Sequence, residues 1–183
     1  MAVADLGGPM NILDIIINRR SVRDFKDQEI PPDLINGLIE AIRWAPSAGN
    51  MQSRKFYFVF DQAVKAKLAK AALNQNFLAK APLVVVACLD RNISARYGER
   101  GVNLYSIQDV SASIMNMMLT AHAMGLGTVW MGAFNEFEVI EILELPDNLR
   151  PISLVPVGFP SKVPFPPRRI AQDEIVVMVK QEE

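Results

Sequence analysis

Arg19, Arg20 and Arg23 place three guanidiniums, and Ser21 a hydroxyl, within five residues. Such a set suits a phosphate or another delocalised anion, because the planar guanidinium fork matches oxyanion geometry. The same cations also suit the C-terminus of a preceding helix, whose partial negative charge they complement. Residue types alone leave both readings open. A second stretch, Pro46, Ser47, Ala48, Gly49, Asn50, Met51, Gln52 and Ser53, is a loop with an amide pair, Asn50 and Gln52. Side-chain amides donate and accept at once, so the pair can read the edge of a heterocycle, although the composition also fits an ordinary turn. In the third stretch, from Gly125 through Gly127, Thr128, Trp130, Met131 and Gly132 to Ala133, the glycines let backbone amides approach a planar ligand. It is not a dinucleotide fingerprint, since Trp130 stands where that motif needs glycine and the stretch follows a helix pattern instead of a strand. Arg168 and Arg169 add cations far along the chain, either a solvated tail or a second jaw on an anion.

Other chemistries find little support. The chain has one cysteine, Cys88, and one histidine, His122, so zinc sites built from those ligands are excluded and no disulfide can form within it. Cys88 sits in an apolar run and reads as a buried, inert thiol. His122 falls inside a long helix pattern without a nucleophile motif beside it, and reads as an interfacial or hydrogen-bonded residue. Met115, Met117, Met118 and Met124 read as core or interface filling. No catalytic acid, base or nucleophile and no metal ligand is assigned. With 19 Lys and Arg against 20 Asp and Glu, the net charge of -1 gives no field to attract nucleic acid or an anionic membrane. Nothing reaches the roughly 18 apolar residues of a membrane span. Residues 1–9 lack the basic start and apolar stretch of a signal peptide and are expected to be a flexible tail, which points to a cytoplasmic protein.

The elements that must position these residues follow from periodicity. Residues 10–183 are too few for two comfortable domains and are expected to form one. Asn11 caps a short helix over Ile12, Leu13, Ile15 and Ile16 that stops at Arg19 and Arg20. Pro32 opens a second helix, with Leu34, Ile35, Leu38, Ile39 and Ile42 on one face, and Pro46 forbids its continuation. A strand is expected over 56–60, and then a helix capped by Asp61 that reaches about Leu73. Residues 83–87 are apolar throughout, as in a central strand buried on both faces. The helix expected over 107–124 is apolar nearly all round and is ended by Gly125. Such a helix must be covered on every side, which implies a second copy of the chain, a homodimer. Strands are expected over 129–133 and 152–157 around a helix over 135–143, with a final strand over 175–179. The proline-rich stretch 160–167 is expected to be irregular.

Taken together and in this order, these pieces resemble the nitroreductase-like flavoprotein family over nearly the whole chain, from about Asn11 to Val179. Arg19-Arg20-Ser21-Val22-Arg23-Asp24-Phe25 resembles the family's N-terminal motif for flavin mononucleotide (FMN), and Pro46-Ser47-Ala48-Gly49-Asn50-Met51-Gln52 resembles its flavin-ring loop. The resemblance implies an α+β fold, with a central mixed β-sheet flanked by helices, an intertwined homodimer and an extended C-terminal arm. It also implies an FMN-dependent oxidoreductase that passes hydride from NADH or NADPH to nitroaromatics, quinones or a similar small acceptor. By similarity, Arg19 and Ser21 serve the FMN phosphate, Arg20 flanks it, and Arg23 lies near the pyrimidine edge, where a cation stabilises the charge of reduced flavin. Asn50 and Gln52 match positions that approach the flavin from the partner subunit. Met131, Gly132 and Ala133 match the strand whose amide faces the hydride-accepting nitrogen, and Arg169 with Arg168 matches a C-terminal phosphate clamp. Hydride transfer needs positioning more than a protein acid or base, which agrees with the missing catalytic dyad. The chain departs from many relatives at Ser53-Arg54, where Pro-Trp is common, and at Pro167, where a basic residue is frequent. Arg96, Tyr97 and Arg100, in the short stretch expected to border the substrate, receive no role. The alternatives are a relative that consumes its flavin or dispenses with nicotinamide, and a dimer that binds FMN without turnover.

Overall fold

The structure, a computed structural model, describes residues 11–179, so the tail expected over 1–9 lies outside the described residues. Its central strand, β2 (Leu83–Asp90), is buried from Leu83 to Leu89. It lies between β1 (Arg54–Val59) and β4 (Leu149–Gly158), with the two-residue β3 (Gly127–Thr128) beyond β4, in the order β1-β2-β4-β3. Strand side chains alternate faces. Leu83, Val85, Ala87 and Leu89 therefore point to a core shared with Leu38, Ile42, Ile114, Met117 and Met118, while Val84, Val86 and Cys88 point to one shared with Leu68, Ala69, Ala72, Leu78 and Val139. Helices cover both faces: α2 (Pro32–Arg43) and α6 (Ser106–Ala123) on one, α3 (Gln62–Ala71) and α7 (Glu136–Leu143) on the other. Three short helices complete the set: α1 (Ile12–Asn18), α4 (Phe77–Lys80) and α5 (Ser94–Arg100).

The caps expected at Asn11 and Asp61 form, and Asn135 caps α7. Asn11 Oδ1 accepts from the Leu13 amide, Asp61 Oδ1 from Val64, and Asn135 Oδ1 from Phe137 and Glu138. Each satisfies an orphan amide of a first turn. Gly125, at φ 78°, follows α6 in the left-handed conformation that ends helices.

Three expectations change. The mixed sheet is antiparallel in its ladders among the described residues; parallel pairing is confined to the bridge between Ser21 and Thr128. The strand expected over 129–133 shrinks to β3 and one bridge, Met131 to Leu154. Pro156 explains the gap. Leu154 exchanges both backbone bonds with Met131, at 3.0 Å each, so Pro156, two residues on, turns the same edge towards Val129 without an N–H to offer. The final strand over 175–179 does not form: 172–175 is a turn, and 176–179 is exposed and irregular. A strand needs a neighbour for its backbone groups, and among the described residues none runs alongside. The stretch 160–167 is irregular, as expected, and residues 161–179 are all exposed.

The long helix is covered on one side by this chain, with Asp109, Val110, Ser113, Ile114, Met117, Met118 and Ala121 buried. Gln108 and Met115 are less covered, Met115 being 38% exposed. Ile12, Leu13, Ile16 and Ile17 of α1 are each more than half exposed.

Candidate functional site

Where α1 stops, its carbonyls need partners. Arg20 meets that need: its Nη1 donates to the carbonyls of Ile17, at 2.7 Å, and Arg19, at 2.9 Å. For Arg20 the helix-end reading of the cation cluster is thus correct. Arg19 behaves differently. Its Nη1 is buried and has no hydrogen-bond partner among the described residues. Burial, followed by repulsion from Arg169 and Arg20, lowers the Arg19 pKa from its ordinary value. The segment is pinned beside β3 by the Ser21–Thr128 bridge and by the Val22 amide, which donates to the Thr128 carbonyl at 2.9 Å. Gly127 permits this close approach, since a Cβ there would run into the Val22 side chain.

Arg19, Arg20, Ser21 and Arg23 line a cavity of about 300 Å³ together with Pro164, Phe165, Pro167 and Arg169 from the C-terminal stretch. Two cation groups almost 150 residues apart thereby meet, as the two-jaw reading required. Arg168 is exposed and does not line the cavity. Arg23 is also exposed, with its guanidinium 5.9 Å from the Phe77 ring. Among the described residues the ion pairs are Arg43–Glu40 and Arg150–Glu136, so no carboxylate neutralises this group. His122, in the last turn of α6, feels it: burial first, then Arg19 and Arg20, depress its pKa.

The loop after α2 is held from two directions. Arg54, at the start of β1, donates to the carbonyls of Ala45 at 2.8 Å, Pro46 at 3.0 Å and Arg43 at 3.3 Å, and so satisfies the end of α2. Asp109 Oδ1, from α6, accepts from the Ala48 amide at 2.9 Å, while its Oδ2 is buried and unpartnered among the described residues. Burial raises the Asp109 pKa, against the Ala48 bond and the Arg54 charge, which lower it. Ser47 Oγ accepts from the Gln52 amide at 3.0 Å. Gly49, Asn50 and Gln52 all take positive φ, at 52°, 57° and 52°, and non-glycine residues held there concentrate at binding sites. Asn50 and Gln52 are exposed, and Pro46, Ser47 and Ala48 flank them. Met131 is buried on the Leu154 bridge. Gly132 and Ala133 are exposed, a Cβ on Gly132 would meet open space, and neither amide has a backbone partner among the described residues.

One chain does not bring everything together. On α6, Asp109, beside the loop, and His122, beside the arginines, lie thirteen positions apart. At about 1.5 Å rise per residue, that is about 20 Å. Cys88, fully buried with its thiol pKa pushed up to about 12, is not a nucleophile. No group of ligands for a metal ion exists among the described residues, and no described helix is long and apolar enough to cross a membrane.

The Nitroreductase family model matches residues 16–88 and 69–159, which take in the arginine segment and the loop and end before the C-terminal cations. The chain belongs to the nitroreductase family. It is 29% identical over 170 residues to the putative NADH dehydrogenase/NAD(P)H nitroreductase of Methanothermobacter thermautotrophicus, a match covering 88% of this chain and 86% of that one. The structure of NfrA2 from B. megaterium superposes with a TM-score of 0.87 at 28% identity, over 94% of this chain and 76% of that one. The NADPH:FMN oxidoreductase from Vibrio harveyi complexed with NAD+ does so with a TM-score of 0.86 at 26% identity, over 95% and 79%. In this nitroreductase family member, sequence reasoning missed Arg54 and Asp109. The one signal for Arg54 was its standing where many relatives carry tryptophan. Nothing local pointed to Asp109, which meets Ala48 across 61 positions.

Proposed function

We propose that the chain is an FMN-dependent NAD(P)H oxidoreductase that passes reducing equivalents from NADH or NADPH to nitroaromatics, quinones or a similar small acceptor. The observation that carries the reading is the convergence of Arg19, Arg20, Ser21, Arg23 and Arg169 on one cavity, where among the described residues no carboxylate pairs with them and Arg19 Nη1 is buried without a partner. Unneutralised guanidiniums gathered on one cavity repel one another and lack acceptors, which is costly, and a phosphate there would offset both. The residues therefore fit FMN. Bound FMN supplies two-electron redox chemistry.

The chain's own residues bind and orient. Arg19, Ser21 and Arg169 hold the phosphate, Arg168 assists from outside, and Arg20 keeps the end of α1 closed beneath it. Arg23 places positive charge by the pyrimidine edge. Gly132 and Ala133, next to the anchored Met131, offer amides to the ring. Pro46, Ser47 and Ala48 form the base of the loop that presents Asn50 and Gln52, and this loop serves the site of a second copy. The separation of about 20 Å along α6 supports that last assignment, because one chain cannot close both halves on the same ring. The exposed apolar face of α1, exposed Met115 and the exposed C-terminal stretch support the same homodimer, with residues 161–179 as its arm. Residues 10–183 act as one domain, in the cytoplasm.

The test is the visible absorbance spectrum of the purified protein, repeated after anaerobic addition of NADH and then NADPH, with the mass in solution measured alongside. Flavin bands that bleach with either nucleotide, in a particle of twice the chain mass, are the expected result. Bands that persist would leave a flavin-binding dimer without reductase activity. Absence of flavin binding even after FMN is supplied would overturn the assignment.

A further inference from the structure

The segment between β2 and α6 folds back over the flavin-ring loop. Gly98 takes φ 55° and ψ -149°, a conformation essentially restricted to glycine, and the chain then passes through a π-helical turn, Gly101–Tyr105, into α6. Such turns concentrate at functional sites. The path brings the rings of Tyr97 and Tyr105 edge to face, 5.4 Å between centroids. Each ring carries a guanidinium: Arg96 lies 5.3 Å from the Tyr97 centroid and Arg100 lies 5.4 Å from that of Tyr105. Arg100 Nε also donates to Tyr105 Oη at 2.9 Å, which fixes the plane of the fork.

Both arginines are exposed, and among the described residues neither is paired with a carboxylate, although Glu99 stands between them. Directly beneath is Gly49: a Cβ there would collide with the Tyr97 hydroxyl and lie within 3.3 Å of the Arg96 guanidinium. The stack thus forms a wall on the loop that presents Asn50. A guanidinium held on an aromatic face is oriented and weakly hydrated, and it still has N–H groups to give.

Resting on the function proposed above, we propose that Arg96 and Arg100, oriented by Tyr97 and Tyr105, form a subsite for the anionic group of a planar co-substrate. The group is either a carboxylate on the acceptor's ring or the 2′-phosphate of the nicotinamide donor. Cations at this place give a co-substrate that carries the extra anionic group an advantage over its counterpart without it, and the advantage is electrostatic and screened by salt.

The test compares the flavin-loaded wild type with R96Q, R100Q and the double variant, using two matched pairs: 4-nitrobenzoate against nitrobenzene, and NADPH against NADH. Both sites are exposed, and flavin content and the KM for nitrobenzene serve as controls on folding. The expected result is a KM raised on the order of tenfold in the double variant for the member of one pair that carries the extra anionic group, 4-nitrobenzoate or NADPH, with kcat little changed, from the loss of charge-assisted hydrogen bonds. A selective effect on 4-nitrobenzoate assigns the subsite to the acceptor, and one on NADPH assigns it to the donor phosphate. In either case the wild-type preference shrinks at high salt. Equal changes for both members of each pair, or none, would overturn the proposal. Perturbation of the oxidised flavin spectrum by 4-nitrobenzoate gives a dissociation constant without turnover. The acceptor subsite is thereby tested even if neither nucleotide reduces the flavin, an outcome that would sink the reductase reading instead.

Discussion

Replacing Arg19 with methionine should move the apoprotein and the FMN complex in opposite directions. In the apoprotein, Nη1 is buried without a partner and repelled by Arg20 and Arg169. An unsatisfied buried donor costs about 1–3 kcal/mol, and the partial burial of Arg19 places the gain from removing it near the lower end, about 1 kcal/mol. For a chain of this size that raises the apoprotein Tm by about 2–4 °C, with methionine retaining most of the stem's packing. In the complex the same change removes charge-assisted hydrogen bonds to phosphate, about 1.5–3 kcal/mol, so the Kd for FMN rises about 10- to 150-fold. Thermal melts at fixed protein concentration, without FMN and with FMN at about 100 times the wild-type Kd, read both effects. Wild type gains about 2.7 kcal/mol from ligand under those conditions, whereas a variant with Kd raised about a hundredfold gains only about 0.4 kcal/mol, so its melting shift nearly disappears. A variant whose apoprotein is less stable and whose FMN affinity is unchanged would refute the reasoning, because Arg19 would then be a structural residue.

Arg54→Met leaves the carbonyls of Arg43, Ala45 and Pro46 without their donor; we expect a loss of about 1–3 kcal/mol and faster amide hydrogen exchange over residues 46–52, and unchanged exchange there would show that Asp109 holds the loop alone. His122 supplies a pH dependence. Its pKa in the folded chain is lowered, by burial and then by Arg19 and Arg20, so below the free value of about 6.5 the unfolded chain binds more protons. The stability that neutral His122 permits is complete above that pH and declines as pH falls through the folded pKa. Melting temperatures from pH 7.5 to 5 should fall less steeply in His122→Gln, and also when FMN offsets the two arginines; parallel curves for all three samples would remove His122 from the linkage.

Much of the site is legible in the sequence because its parts are local. A cap such as Asn11 or Asp61 acts on amides two or three residues away, and Pro46 or Gly125 ends a helix by its own backbone limits. The cation motif at 19–23 and the amide pair in the loop therefore lie where expected, on loops at helix ends. What each cation does is not legible. Arg20 and Arg19 are neighbours of the same type, yet one caps carbonyls and the other has a buried Nη1 without a partner among the described residues, a division that depends on how α1 packs against α6 and where Arg169 arrives. The failed strands have the same origin. The pattern over 129–133 favours a strand, but Pro156, some 25 residues on, removes the donor it needed, and 175–179 has no edge among the described residues to join. The sequence by itself determined the main helices, the central strands, their caps and the inventory of cations and amides at the helix ends, since those follow from interactions within one turn or one residue pair. Only the tertiary structure decided which groups share a cavity, that Asp109 and Arg54 brace the loop, and that about 20 Å of α6 keeps the two halves apart, because those outcomes are set by contacts between residues distant along the chain and by the rigid length of a helix.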